Sequence, residues 1–455
     1  MLFSVNWLAS IHPHYRGIRE GNIAIDCVTT DSREQKDNAL FIPIEGDKFD
    51  GHDYIEQAME NGAVATLWQK DKVIPDNLPE TFLVFLVDDT IHALQTLAKA
   101  YRFEINPTVI AVTGSNGKTT TKDMIGHILL SQFRTHMTSG NLNNHIGLPL
   151  TILSMPRDTE MLVLEMGMNH FGEIALLSKI ANPDYAIITN IGESHIEFLG
   201  SREGIAKAKL EIVEGLKQDG VLIIDGDETL LEQFSLNNNI IRCGFQLNLD
   251  LVINQVEITQ RGTVFSLSTG KTYEIPLLGK HHAKNATYAV AVATKLGMDP
   301  ELVHQSLQTL SITGMRFELL EGINGVAIIN DAYNASPTSM IAAIEVVKKL
   351  EQYKEKVLVL GDMFELGSQS KYMHESVVDY IEAPITTVYT IGAYAKNITS
   401  KLMNEKPDIN TKHFADRTKL TDDLKQLANR ETVILFKASR GMQLETIINT
   451  IRELQ

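Results

Sequence analysis

Three α/β domains are what this sequence predicts, and three observations carry that reading. The chain has 455 residues, too many for one ordinary hydrophobic core. From residue 108 onward, short continuous apolar runs alternate with helical patterns, the signature of parallel strands buried on both faces. One of those runs leads through a glycine-bearing loop straight into a helix, the layout of a phosphate-binding loop in a P-loop-type sheet.

Taken in order, residues 1–105 alternate short strand-like pieces (ALFIPI, AVATLW, FLVFLV) with turn clusters. They end in a helical stretch, DTIHALQTLAKAYRFE, which the pair Asn106-Pro107 breaks. Residues 106–314 then carry TVIAVT, EMLVLEM and DYAIITN as the strands of a central parallel sheet. The segment from about 245 to 277 alternates instead and holds two turn signals, which predicts an antiparallel appendage. A helix follows in AKNATYAVAVATKLG, closed by Gly297. Past a boundary near Gly314, the runs GVAIIND, EKVLVLGDM, TTVYTIG and ETVILFKAS predict a further parallel α/β domain over 315–455.

Bulk properties narrow the function. With 44% apolar and 22% charged residues the composition is ordinary globular. The net charge of -16 repels nucleic acid, so an anionic ligand needs a local site. Only two cysteines occur, Cys27 and Cys243, and neither has a partner at metal spacing, which fits a reducing cytosol. The opening MLFSVNWLASIHPHYRG lacks the layout of a secretory signal, and no apolar run approaches the length of a membrane span. A cytoplasmic protein with no membrane insertion is the expectation.

The loop reads VIAVTGSNGKTTTKDMIGHILL. Gly114 and Gly117 let the backbone approach phosphate oxygens, and Ser115 and Asn116 lie between them. The amides at the helix start form an anion site. Lys118 is placed to reach the terminal phosphates of ATP and Thr119 to ligate Mg²⁺. The two-residue gap between the glycines is shorter than in most motor and transport ATPases. Glu165 ends the strand MLVLE and His195 follows DYAIITN, so both fall at carboxyl ends of strands, where ligands of open sheets gather. A carboxylate and an imidazole there suit a cation beside the nucleotide. In the helical segment REGIAKAKLEIVEGLK, Lys207 faces solvent while Lys209 shares a stripe with Ile205, Ile212 and Leu216. From the pattern alone Lys209 is expected to snorkel its ammonium to water.

These segments, with TDSR, LFIPIEGDKFDGHDY, GNLNNHIGLPL, LEMGMNHFGEI, GKHHAKNATYAVA, GMRFE, NDAYNASPTSM, GDMFELG and KASRGM, resemble the Mur ligase family along the whole chain. The family comprises ATP-dependent amide ligases that build the peptidoglycan stem peptide. The resemblance implies a uridine-nucleotide domain over 1–105, an ATP-binding domain over 106–314 and a Rossmann-like domain over 315–455. It gives Lys118 and Thr119 to the triphosphate and Mg²⁺, makes Glu165 and His195 metal ligands, and matches Lys209 to a lysine that carries a carbamate. By the same resemblance, Asn285 faces adenine, Arg316 bridges to the phosphates, and Asp331 contacts nucleotide from the third domain. Ser32 and Arg33 resemble part of the uridine site, Asn141 and Asn143 resemble substrate contacts, and Lys437, Ser439 and Arg440 face the incoming substrate. His282 and Ser336 stand where relatives usually have asparagine. NDAYNASPTSM and GDMFELG resemble the branch that joins D-alanyl-D-alanine to UDP-N-acetylmuramoyl-tripeptide, working as a monomer. The alternatives are a paralogous ligase with the same core and a nucleotide-driven switch that ligates nothing.

Overall fold

In the computed structural model, which describes residues 1–18, 21–232, 239–259, 261–311 and 313–452, three main sheets follow one another along the chain. The first is five-stranded and built from Ala39–Phe41, Ala63–Gln69 and Leu83–Val87 with the short Tyr15–Arg16 and Cys27–Thr29. A two-stranded ribbon, Phe3–Ser4 with Ala24–Ile25, lies beside it. The helix Thr90–Ile105 starts at Asp89, whose carboxylate accepts the His92 N–H, and stops at Asn106, which takes the left-handed conformation at φ 52° ahead of Pro107. Its buried face (Leu94, Leu97, Tyr101) packs into a core shared with Leu148, Ile152 and Met155 of the next segment.

The central sheet has nine strands. Its parallel part places Thr108–Thr113 between Met161–Glu165 and Tyr185–Ile188, with Val221–Asp225 and Ile240–Gly244 further out. All of Val109–Thr113 and Met161–Glu165 is buried, as strands covered on both faces require. The alternating segment is antiparallel as expected, but it is no separate appendage. Leu251–Ile258 pairs in parallel with Ile240–Gly244, so the strands Leu251–Ile258, Thr263–Leu267 and Thr272–Ile275 extend the central sheet itself. Their buried side chains Phe265, Leu267 and Ile275 join the core of the helix Lys280–Lys295.

The third sheet has six strands, ordered Glu318–Glu321, Ala327–Asn330, Thr432–Lys437, Glu355–Gly361, Thr387–Ile391 and Asn410–Phe414, and only the first is antiparallel. The sequence reading missed Asn410–Phe414 because its alternation of exposed and buried residues at a sheet edge is not a continuous apolar run. The carboxyl ends of the central and third sheets face each other across a cleft. Among the described residues no helix is long and apolar enough to cross a membrane.

Candidate active site

The cleft has a volume of about 490 Å³ and is lined from both sheets, by Lys118, Glu165, His195 and Asn285 on one side and Arg316, Asp331 and Lys437 on the other. The loop after Thr108–Thr113 forms its floor. Gly114 (φ 149°) and Gly117 (φ 80°) have no alternative residue: a Cβ would sit 1.8 Å from Thr189 Oγ1 at the first and 2.8 Å from Asn285 Oδ1 at the second. The helix Lys118–Leu130 begins directly afterwards, so its first amides point at the loop. Lys118 Nζ folds back onto the Gly114 carbonyl at 2.7 Å and the Ser115 carbonyl at 3.4 Å. Burial holds this ammonium below its ordinary pKa; Arg316 adds to the shift, while Glu165 and Glu365 oppose it. Ser115 Oγ and Asn116 Nδ2 are buried without hydrogen-bond partners. Orphaned polar atoms around a ring of amides fit a phosphate chain.

Glu165 is buried at the end of its strand. It accepts from Thr119 Oγ1 at 2.6 Å and from Asn143 Nδ2 at 2.8 Å. Asn143 thus holds Glu165 in place, and both Asn141 and Asn143 line the cleft. His195 sits in the left-handed region (φ 66°), and its Nδ1 lies 2.6 Å from Glu365 Oε2 of the third sheet's loops. The two atoms are close but do not form an aligned hydrogen bond.

Lys209 corrects the snorkelling expectation. The residue is 1% exposed, among the largest fully buried side chains of the protein, so its head does not reach water. The helix is also shorter than its pattern, since Arg202–Leu210 gives way to a 3-10 turn at Glu211–Glu214. Lys207 is exposed, with its ammonium 5.9 Å from the centre of the Phe171 ring. Burial, with the charge of Lys118 adding to it, pushes the Lys209 amine well below the ordinary lysine value.

From the third sheet, Asp331 pairs with Lys437 at 2.6 Å, and Lys437 also donates to the Asn334 carbonyl at 3.1 Å. Burial pushes the Asp331 carboxyl up, and Lys437 opposes the shift. The Arg316 guanidinium lies 4.1 Å from the centre of the Tyr333 ring, and its Nε is buried without a partner. The segment holding it turns twice through left-handed residues, Met315 (φ 62°) and Phe317 (φ 59°). Further contacts join the domains: Thr338 donates to Glu193 at 2.7 Å, and Ser336 to Asn116 Oδ1 at 3.3 Å.

Some expected residues lie elsewhere. Ser32 donates to Gln57 Oε1 at 2.8 Å, and Arg33 forms a two-point contact with Asp31, both in the first domain and outside the cleft. Ser439 does not line the cleft but accepts the Phe364 N–H at 2.9 Å, and Arg440 pairs with Glu445 at 2.9 Å. Sequence reasoning passed over Asn190, whose Oδ1 accepts the Asn116 N–H at 2.9 Å, and over Glu193, Tyr333, Thr338 and Glu365. All five sit inside segments already singled out as motifs, beside the residues chosen. His282 is buried with both ring nitrogens unpartnered, 4.1 Å ring to ring from His281.

Comparison with known proteins bears on this geometry. Family models described as "Mur ligase family, catalytic domain", "Mur ligase middle domain" and "Mur ligase, glutamate ligase domain" match residues 24–102, 112–293 and 315–440. A Bacillus subtilis relative named UDP-N-acetylmuramoyl-tripeptide--D-alanyl-D-alanine ligase is 49% identical, over 94% of this chain and 93% of its own length. The chain belongs to the Mur ligase family. An Escherichia coli relative of the same name is 34% identical over 96% of each chain. A crystal structure of MurF from Acinetobacter baumannii superposes on this Mur ligase with a TM-score of 0.88 at 30% identity, covering 99% and 98% of the two chains. MurF from Thermotoga maritima in complex with ADP matches at 0.84, with 30% identity over 94% and 97%. A folylpolyglutamate synthase from Mycobacterium tuberculosis, at 18% identity and a TM-score of 0.62, shares the fold alone.

Proposed function

We propose that this Mur ligase couples ATP cleavage to amide formation, joining D-alanyl-D-alanine to UDP-N-acetylmuramoyl-tripeptide and releasing ADP and phosphate. The observation that carries the reading is the cleft in which the glycine loop and Lys118 face Arg316, Asp331 and Lys437 from another sheet. The 49% identity to the Bacillus subtilis ligase supports the choice of substrates. We assign the work to three units, 1–105 for the uridine nucleotide through Ser32 and Arg33, 106–314 for ATP, and 315–455 for closure and the incoming dipeptide. ATP and a UDP-linked precursor are cytoplasmic metabolites, which supports a cytoplasmic enzyme.

A carboxylate cannot expel oxide, so the γ-phosphoryl group moves to the tripeptide carboxylate first, forming an acyl phosphate and ADP. Lys118 leaves the Gly114 carbonyl to follow the transferring group, and Arg316 adds charge from the other side. Gly114 through Gly117 hold the phosphate chain with backbone amides and the orphaned Ser115 and Asn116 side chains, and Asn285 borders the loop where the base is expected. The dipeptide amine then attacks the acyl carbon, and the tetrahedral intermediate collapses with loss of phosphate. Lys437, held by Asp331 at the end of its strand, lines the cleft and faces that arriving substrate.

The residues present fit Mg²⁺. The Thr119 hydroxyl and Glu165 carboxylate, 2.6 Å apart, are the residues that would hold the cation. Among the described residues no three His, Cys, Asp or Glu side chains converge on one point, so a further anion would add to Glu165 there. We assign it to a carbamate on Lys209, whose buried amine lacks a compensating carboxylate. A neutral amine adds CO₂ and loses a proton, which exchanges an unpaired buried cation for a ligand. When bound, Mg²⁺ neutralises charge on the γ-phosphate. The test is ADP release in the presence of each substrate singly and of both together. Full ADP release with no dipeptide present would break the proposal.

A further inference from the structure

The loop GDMFELG, at the end of strand Glu355–Gly361, does no work in the mechanism above, yet the fold holds it from three directions. The Asp362 carboxylate accepts the N–H groups of Ala393, Tyr394 and Ala395 at 2.9, 2.9 and 2.7 Å. Buried His374 accepts the Met363 N–H on Nε2 at 3.0 Å while its Nδ1 contacts the Ser370 carbonyl at 2.7 Å. Ser439 accepts the Phe364 N–H, and its own N–H donates to the Asp362 carbonyl at 3.0 Å. What this rigid loop presents is Glu365, in the left-handed conformation at φ 61°. Its carbonyl accepts the Glu197 N–H at 3.2 Å, and its carboxylate meets His195 Nδ1 at 2.6 Å. Two left-handed residues, one from each domain, therefore meet at the cleft wall, a strained arrangement that the surrounding contacts maintain.

We propose that Glu365 is the positioning residue through which the closed third domain sets the tautomer and orientation of the His195 imidazole. The Glu365 carboxylate faces Nδ1 at 2.6 Å without an aligned hydrogen bond as the two now lie; once aligned it would accept the Nδ1 proton and leave the Nε2 lone pair to the cleft. The carboxylate comes from a different domain than the ring it orients. The imidazole is thus set for the phosphate site only when the third domain is in place, and chemistry waits for closure. This inference rests on the ligase reading and its placement of His195 beside the transferring phosphate.

The test compares the full-length wild type with Glu365→Gln and with Glu193→Gln, which weakens a different interdomain contact. Nitrogen-15 NMR of histidine-labelled protein reads the His195 tautomer without turnover, and X-ray scattering with an ATP analogue and both substrates reads closure. ADP release against Mg²⁺ concentration reads the site. Glu365→Gln is expected to redistribute the His195 tautomers, lower kcat ~10–100-fold and raise the Mg²⁺ needed for half-maximal rate, with KM for ATP unchanged. It should still close, because the backbone contact to Glu197 remains. Glu193→Gln should weaken closure and leave the tautomer alone. An unchanged His195 signal with a wild-type Mg²⁺ response in Glu365→Gln overturns the proposal. A wild type that releases no ADP strikes the ligase reading instead, and the NMR result still judges Glu365.

Discussion

The two walls of the cleft are built on opposite electrostatic plans. The central wall is unfinished: Ser115 Oγ and Asn116 Nδ2 lack partners and Lys118 is satisfied only by its own loop, while Lys209, which does not line the cleft, is buried within reach of the Lys118 charge with no compensating carboxylate. The opposing wall is more nearly paired, with Asp331 on Lys437 and the Arg316 guanidinium over Tyr333, although Arg316 Nε has no partner. Groups left this way cost stability until a ligand completes them, and two buried ammonium groups beside unpartnered polar atoms suit an anion. The difference supports the proposal that the central side binds phosphate and the opposing side closes on it.

The comparison breaks most visibly at Lys118. Lys118→Ala removes the cation nearest the transferring phosphate and should lower kcat ~10²–10³-fold with an unchanged circular dichroism spectrum. Near-normal ADP release by a well-folded variant would show that the central wall is not the phosphate site.

Lys209→Ala is expected to cost about 10–100-fold, and small carboxylic acids that fill the vacated space should restore part of it. Lys207→Ala, on the exposed side of the same helix, should behave as wild type. Mass spectrometry of the native enzyme should find one added carbamate. A dispensable Lys209 beside an essential Lys207 would reverse the assignment.

The seam between the walls titrates. Burial, with Lys437 adding to it, holds His281 down at about 4, and burial holds the neighbouring His282 well below the ordinary histidine value. Between the unfolded value near 6.5 and the folded value the unfolded chain binds more protons, so stability rises with pH there and is lost as pH falls from about 6.5 toward 4. The slope is at most about 1.4 kcal/mol per pH unit for each histidine. Urea titrations at several pH values should show it, and His281→Gln should flatten it.

The smallest effect is expected far from both walls. Arg33 is 79% exposed and pairs only with Asp31. Arg33→Ala should leave the melting temperature unchanged while raising KM for the uridine substrate about tenfold, through the loss of one charged hydrogen bond. An unchanged KM would remove Arg33 from the substrate site.

Much of this was legible before any coordinates. Continuous apolar runs such as Thr108–Thr113 and Met161–Glu165 are buried strands because a parallel sheet covered on both faces leaves no polar positions to interrupt them. The glycine loop was equally plain, since only glycine tolerates the approach of Thr189 and Asn285. Periodicity also separated Lys207 from Lys209, because helical geometry alone decides which residues share a face.

Other features needed the assembled molecule. Whether Lys209 reaches water depends on what lies above the helix, and the local pattern holds no record of that. The antiparallel strands join the central sheet because Leu251–Ile258 found a partner in Ile240–Gly244, a choice of neighbour and not of propensity. Above all, the meeting of Glu365 with His195 spans 170 residues of chain and is made by a loop that Asp362, His374 and Ser439 hold in place. Sequence determined the strands, the glycine loop and the chemistry each residue can offer, because those follow from local sterics and side-chain type. Tertiary structure alone decided which of those side chains share a cleft and which carry their own counter-charge, because electrostatic pairing depends on distances that distant parts of the chain set only when they pack.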